Sequence, residues 1–298
     1  MSDRASATRK AALASVSVAL LLMALKAHAA WATGSVAMLG SLADSGLDLI
    51  ASLVMLFAVR VAATPADQGH RFGHGKAEAL AALFQTALIA VSALAIGARA
   101  VSRLGSATPP EAPEQGIIVS VVAIAVTMLL VAYQRRVVAR TNSLAISADR
   151  VHYMSDLLLN LAVIAALVGD AMLGLRGLDP VLGVAIALWL VWQAWRTAAR
   201  AIDQLMDHEW PEEKRQRFLA AAATAHPALR GVHDLRTRSS GSRDFVQFHI
   251  WVDPMMTVAA AHHVIEQVQG HLETEFPGVE ILIHTDPEGH PGPEGMAA

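Results

Sequence analysis

Six apolar runs, at about residues 11–31, 36–60, 78–101, 116–134, 146–169 and 178–198, dominate the first two thirds of this chain. A hydrocarbon core of about 30 Å takes roughly 20 helical residues, so each run is long enough, or nearly so, to span a bilayer. Of the 298 residues, 54% are hydrophobic and only 16% charged, against about 25% charged in soluble domains. Mean hydropathy is +0.42. This composition excludes a disordered chain and argues against a purely soluble enzyme.

The connecting segments separate by charge. Arg4, Arg9, Lys10, Arg60, Arg71, Lys76, Arg135, Arg136, Arg140, Arg196 and Arg200 fall on one side of the six runs. Arg99, Arg103 and Arg176 fall on the other, with Glu111, Glu114, Asp170 and Asp179. The excess of positive charge on the cytoplasmic face then places both termini inside. Turns are expected at Thr33-Gly34-Ser35, in the proline-bearing stretch 105–115 and at 174–180.

Beyond the sixth run the character changes. Residues 206–298 hold 14 Asp/Glu, 7 Lys/Arg and nine of the 13 histidines. An acidic segment of this kind disfavours nucleic acid as a partner. A helix starting at Pro211-Glu212-Glu213, strands at 232–238 and 244–252, a helix at 257–275 and a strand at 279–284 give the order α-β-β-α-β. The expected fold is therefore an α-helical membrane protein with six transmembrane helices and a C-terminal cytoplasmic α+β domain. Its expected boundaries are 1–205, 206–288 and a disordered tail at 289–298.

The chain has no cysteine, so any metal must be held by histidine and carboxylate. Asp44 and Asp48 lie mid-way along the second run, and His152 and Asp156 within the fifth. Each pair is spaced i,i+4 and shares one helix face. An aspartate at a bilayer centre costs about 2.5–3.5 kcal/mol. No lysine or arginine lies mid-span in either run to offset it, and a bound cation is the economical compensation. Three carboxylates and one imidazole suit Zn²⁺ and tolerate Fe²⁺, Mn²⁺ or Cd²⁺. Polar helix packing or a proton relay is the plainer alternative. Metal ligands must be deprotonated to bind, so protons compete with metal for this set.

Together with the loop Asp67-Gln68-Gly69-His70-Arg71-Phe72-Gly73-His74-Gly75-Lys76-Ala77-Glu78 and the strand His233-Asp234-Leu235-Arg236-Thr237-Arg238, these two motifs resemble the cation diffusion facilitator family. The similarity is greatest to its bacterial zinc and ferrous-iron efflux branch and runs from about residue 10 to 287. The resemblance implies a homodimeric metal/proton antiporter of the bacterial inner membrane, in contact with lipid, with a metallochaperone-like cytoplasmic domain. It implies that Asp44, Asp48, His152 and Asp156 form the transport site for Zn²⁺, with Fe²⁺ and Cd²⁺ as alternatives. His28, near the end of the first run, reads as an interfacial residue rather than a ligand.

Asp67, His70 and His74 are three ligand-type residues within eight positions. They read either as a solvated polar loop or as a metal site with an open position, and the resemblance implies a second cation site there. It also implies that Lys76 pairs with Asp207 as a charge interlock; alone, Lys76 reads as a cytoplasmic anchor. In the C-terminal domain, Val246, Phe248, Ile250 and Val252 make one strand face, and His249 falls on the other with Phe245 and Trp251. His284 falls opposite Ile281 and Ile283. His233, His262 and Asp286 are candidates to converge with them. The resemblance implies a structural binuclear zinc site at a dimer interface, with Asp286 bridging. His263 is an alternative to His262.

Two other function classes fit less well. An intramembrane metal-dependent hydrolase lacks a His-Glu-x-x-His helix and an intramembrane glutamate base. A membrane-anchored metal sensor accounts for the C-terminal domain but not for the costly mid-membrane carboxylates.

Overall fold

The computed structural model describes residues 3–33, 36–103, 116–173 and 178–289. The chain divides into two units, Met1–Ile202 and Asp203–Ala298. The turn expected at Thr33-Gly34-Ser35 and most of the stretches 105–115, 174–180 and 289–298 lie outside the described residues.

The first unit is built from α1 (Asp3–Thr33), α2 (Val36–Ala62), α3 (Ala77–Arg103), α4 (Gly116–Thr141), α5 (Leu144–Leu173) and most of α6 (Leu178–Leu205). The helices outrun the apolar stretches at most ends, because arginines such as Arg60, Arg103 and Arg140 continue the helical turns past the lipid-soluble part. Among the described residues, five helices are long and apolar enough to cross a membrane, at Asp3–Ala32, Ser41–Ala62, Ala77–Arg103, Val121–Thr141 and Pro180–Leu205. The sixth expected helix, α5, is 30 residues long, with Asp149, Arg150, His152 and Asp156 in its first half and an apolar second half. It is the central helix, packed against α1, α2, α3 and α4. Ala145, Ile146, Ala148, Val151 and Tyr153 are buried along it.

Small residues bring α3 and α6 close. A Cβ placed on Gly183 would lie 2.9 Å from the Ala100 Cβ, so α6 crosses α3 with backbone nearly against side chain. Close approach of this kind supplies van der Waals packing where lipid gives no hydrophobic drive between helices. Ile186, Leu190 and Ala194 continue that seam against Ile89 and Ala93 of α3 and Val151 of α5.

The second unit contains α7 (Glu212–Thr224), β1 (Gly231–Ser240), β2 (Arg243–Val252), α8 (Val258–Glu275) and β3 (Val279–Pro287). The expected α-β-β-α-β order is the observed one. The sheet order is β1-β2-β3, antiparallel between β1 and β2 and parallel between β2 and β3. A parallel neighbour needs a crossover, and α8 supplies it. Thr257 caps α8 by accepting the Ala260 N–H. Val264, Val268 and Leu272 of α8 and Phe218 of α7 close over Val246, Phe248 and Ile250. Both helices thus cover one face of the sheet and leave the His249 face outside this core.

Candidate metal centres

Three groups of potential ligands assemble among the described residues: Asp48, His152 and Asp156; Asp67, His70 and His74; and His233, His249 and Asp286. In each group the ligand atoms lie within 4.8 Å of one another. Two ligands bound at about 2.0–2.1 Å to a tetrahedral zinc stand roughly 3.3 Å apart.

The first group joins α2 to α5. His152 Nε2 lies 3.0 Å from Asp48 Oδ1 and 3.9 Å from Asp156 Oδ2. These side chains are 14%, 26% and 35% exposed, so the site is recessed but open. The i,i+4 spacing on α5 sets the second contact, and the packing of α2 on α5 sets the first. Asp44, one turn of about 5.4 Å before Asp48, is exposed and stands outside the group of three. Lys26 of α1 donates to the Ser41 carbonyl oxygen at 3.4 Å and acts electrostatically on Asp156. This basic group comes from a third helix, not from either helix that carries the ligands.

The second group lies between α2 and α3. Asp67 Oδ1 accepts the backbone N–H of Gly69 at 2.9 Å and of His70 at 2.7 Å, which folds the loop around the carboxylate. His70 Nδ1 and His74 Nε2 each stand 3.5 Å from an Asp67 oxygen. The turn passes through Gly73 at φ +79°, a region only glycine adopts freely. Gly75 has no positive φ among the described backbone angles. The His70 N–H, foremost, then the Gly69 N–H and the neighbouring His74 and His70 charges hold the Asp67 carboxyl below its ordinary value against an opposing desolvation.

The third group is organised by strand register. His233 of β1 pairs with His249 of β2, and His249 pairs with His284 of β3, so three imidazoles form one row across the sheet. Asp286 serves all three. Its Oδ2 lies 2.7 Å from His249 Nδ1 and 3.2 Å from His233 Nε2, and its Oδ1 lies 3.4 Å from His284 Nε2. Burial pushes the Asp286 carboxyl up, but the His249 hydrogen bond and the His249, His284 and His233 charges outweigh it and leave it lowered. The His233 ring stacks on Trp251 at 4.2 Å, which accounts for an aromatic residue on this face. Phe245, also on it, is covered by the Arg238 guanidinium at 4.5 Å.

One ligand-type residue here was not anticipated. Alternation along β1 would point Asp234 away from His233, yet its Oδ2 lies 3.6 Å from His249 Nε2. The register shifts between His233 and Arg236, and Asp234 takes φ +47°. A bulge re-aims the side chain, and nothing in the residue types announces it. His262 belongs to none of the groups. It sits exposed on α8, on the helix-covered side of the sheet, with Glu266 3.6 Å away, and His263 is as exposed. Asp207 meets Arg238 at 3.4 Å within the second unit.

Comparison with known proteins bears on what these groups serve. The profile of the cation efflux transmembrane domain matches residues 12–206, and that of the cation efflux protein cytoplasmic domain matches residues 210–288. The chain belongs to the cation diffusion facilitator family. It is 42% identical over 278 residues to the cation-efflux pump FieF of Cronobacter sakazakii, covering 93% of this chain and 92% of that one. It is 41% identical to FieF of Shigella flexneri over the same length. A solved structure of CzrB, a candidate zinc transporter, matches 27% of this chain and 99% of its own at 34% identity and TM-score 0.26. As a family member, the chain is a multi-span cation-efflux transporter.

Proposed function

We propose that this cation diffusion facilitator exports Zn²⁺, with Fe²⁺ and Cd²⁺ as alternative cargo, from the bacterial cytoplasm in exchange for protons. The observation that carries the reading is the approach of His152 to Asp48 and Asp156 across two membrane helices. Its 3.0 and 3.9 Å spacings bracket the edge of a tetrahedral zinc site. Asp44 is the fourth ligand in this reading, drawn in by the cation from one turn away.

Exchange follows from ligand chemistry. The metal displaces protons from His152 and the carboxylates, and protons arriving from the other side displace the metal. A site that opens alternately to the two sides turns this competition into antiport, since each bound species favours the conformation that holds it better. The charge asymmetry of the loops supports both termini in the cytoplasm and places Asp67, His70 and His74 there as a second cation site.

The cytoplasmic unit fits a resident zinc ion. Its donors are imidazoles and one carboxylate, with 2.7–3.4 Å between the Asp286 oxygens and the histidine nitrogens. His233, His249, His284 and Asp286 would hold it, and a bound ion would tie β1, β2 and β3 together. His262, on the helix side, reaches such a site only across the interface of a homodimer.

Proteoliposomes with an imposed pH gradient test the reading. Saturable Zn²⁺ flux with opposing proton movement is expected. Purified protein that moves no divalent metal under the gradient would sink it.

A further inference from the structure

Asp149 lies three residues before His152 on α5 and is fully buried. Its Oδ2 accepts the Ser15 hydroxyl of α1 at 2.5 Å and the Gln134 amide of α4 at 2.7 Å. The Gln134 Nε2 also reaches the Ser15 Oγ at 3.0 Å. The adjacent Tyr153 hydroxyl donates to the Ser15 carbonyl oxygen at 3.1 Å and meets the Ser52 hydroxyl of α2 at 2.9 Å. Four helices thus meet at one polar knot beside the transport site.

The knot lacks a donor. Asp149 Oδ1 and Gln134 Oε1 are both buried acceptors without a partner. Among the described residues no lysine or arginine pairs with Asp149. The titratable groups that act on it are His152 of its own helix and Asp48 of α2, while α1 and α4 present the Ser15 hydroxyl and the Gln134 amide, neither of which ionises near neutrality. An ionised Asp149 would leave a buried charge without a counter-ion and two acceptors unmet, each a costly state. A single proton on the carboxyl removes the charge and supplies the missing donor.

We propose that Asp149 is a proton-binding site distinct from the metal ligands, occupied while α1, α4 and α5 are packed as observed. The carboxyl takes this proton from water as the helices close and returns it to water when the knot opens. Proton movement is then linked to helix packing as well as to ligand exchange at His152. The proton on Asp149 does not depend on the exchange reading.

Infrared difference spectroscopy on the full-length protein tests this. At neutral pH, wild type minus Asp149→Asn is expected to show the loss of a protonated-carboxyl C=O band that shifts in D₂O. Asparagine keeps the shape and the neutral hydrogen bonding. Loss of ionised-carboxylate bands instead would overturn the proposal. Should that variant not fold, Ser15→Ala removes a donor to Oδ2 and is expected to shift the same band; a band indifferent to it also overturns the proposal. The spectrum reads protonation whether or not metal moves. A transporter without the band refutes only this inference, and a protein with the band but no flux refutes only the exchange reading.

Discussion

His152 and Asp48 stand 104 positions apart in sequence, yet the imidazole Nε2 of one lies 3.0 Å from the carboxylate Oδ1 of the other. The contact exists because the polar stripe of α5 is packed against that of α2, both within helices otherwise too apolar to leave lipid. Losing a first ligand exceeds the cost of losing an outer partner, which is about 10–100-fold in metal affinity. Asp48→Ala is therefore expected to weaken Zn²⁺ binding by more than about 100-fold and abolish vesicle flux. Flux retained in Asp48→Ala at native level would contradict the assignment of this site.

Metal loading should be steeply dependent on pH. Each proton displaced by metal weakens apparent affinity about tenfold per pH unit of acidification. Titration calorimetry at several pH values is expected to show affinity falling as pH drops. A pH-independent affinity would argue for carboxylate-only binding, and His152→Asn should flatten the dependence.

Asp286 predicts an acid limit for the second unit. Its folded carboxyl is lowered by the surrounding histidines, while the unfolded one titrates near about 3.9. The stability it contributes is thus complete above about pH 4 and is lost as pH falls through the folded value. Trp251, stacked on His233, reports the change. Acid titration of its fluorescence is expected to show a transition below about pH 4 that Asp286→Asn removes. The same transition in Asp286→Asn would assign it elsewhere.

Gly183 should not tolerate a side chain. A Cβ there meets the Ala100 Cβ at 2.9 Å, and neither atom is the flexible end of a long chain. Overpacking of this sort costs about 1–3 kcal/mol. Gly183→Ala is expected to lower the thermal midpoint in detergent, and Gly183→Leu to lower it further, whereas Gly46→Ala, which meets nothing within 4 Å, serves as control. Equal midpoints for Gly183→Ala and wild type would show that α6 shifts at no cost.

Much of this arrangement was legible in the residues. The i,i+4 pairs in apolar helices pointed to a shared face, and three of the four residues, Asp48, His152 and Asp156, come together. Alternation in β2 placed His249 off the core, as found. What alternation could not show was the alignment of His233, His249 and His284, because register depends on which residues pair across strands. Asp234 escaped because a bulge reverses its direction. Asp149 escaped because its partners come from α1 and α4, more than a hundred residues and fifteen residues away respectively.

The row of imidazoles has an evolutionary corollary. It needs one antiparallel and one parallel ladder to agree, and a slip of a single residue in either turns a ring to the opposite side. Insertions and deletions in related chains should therefore accumulate at the ends of α8 and in the hairpin at Gly241, and be purged between His233 and Ser240, Arg243 and His249, and Val279 and His284.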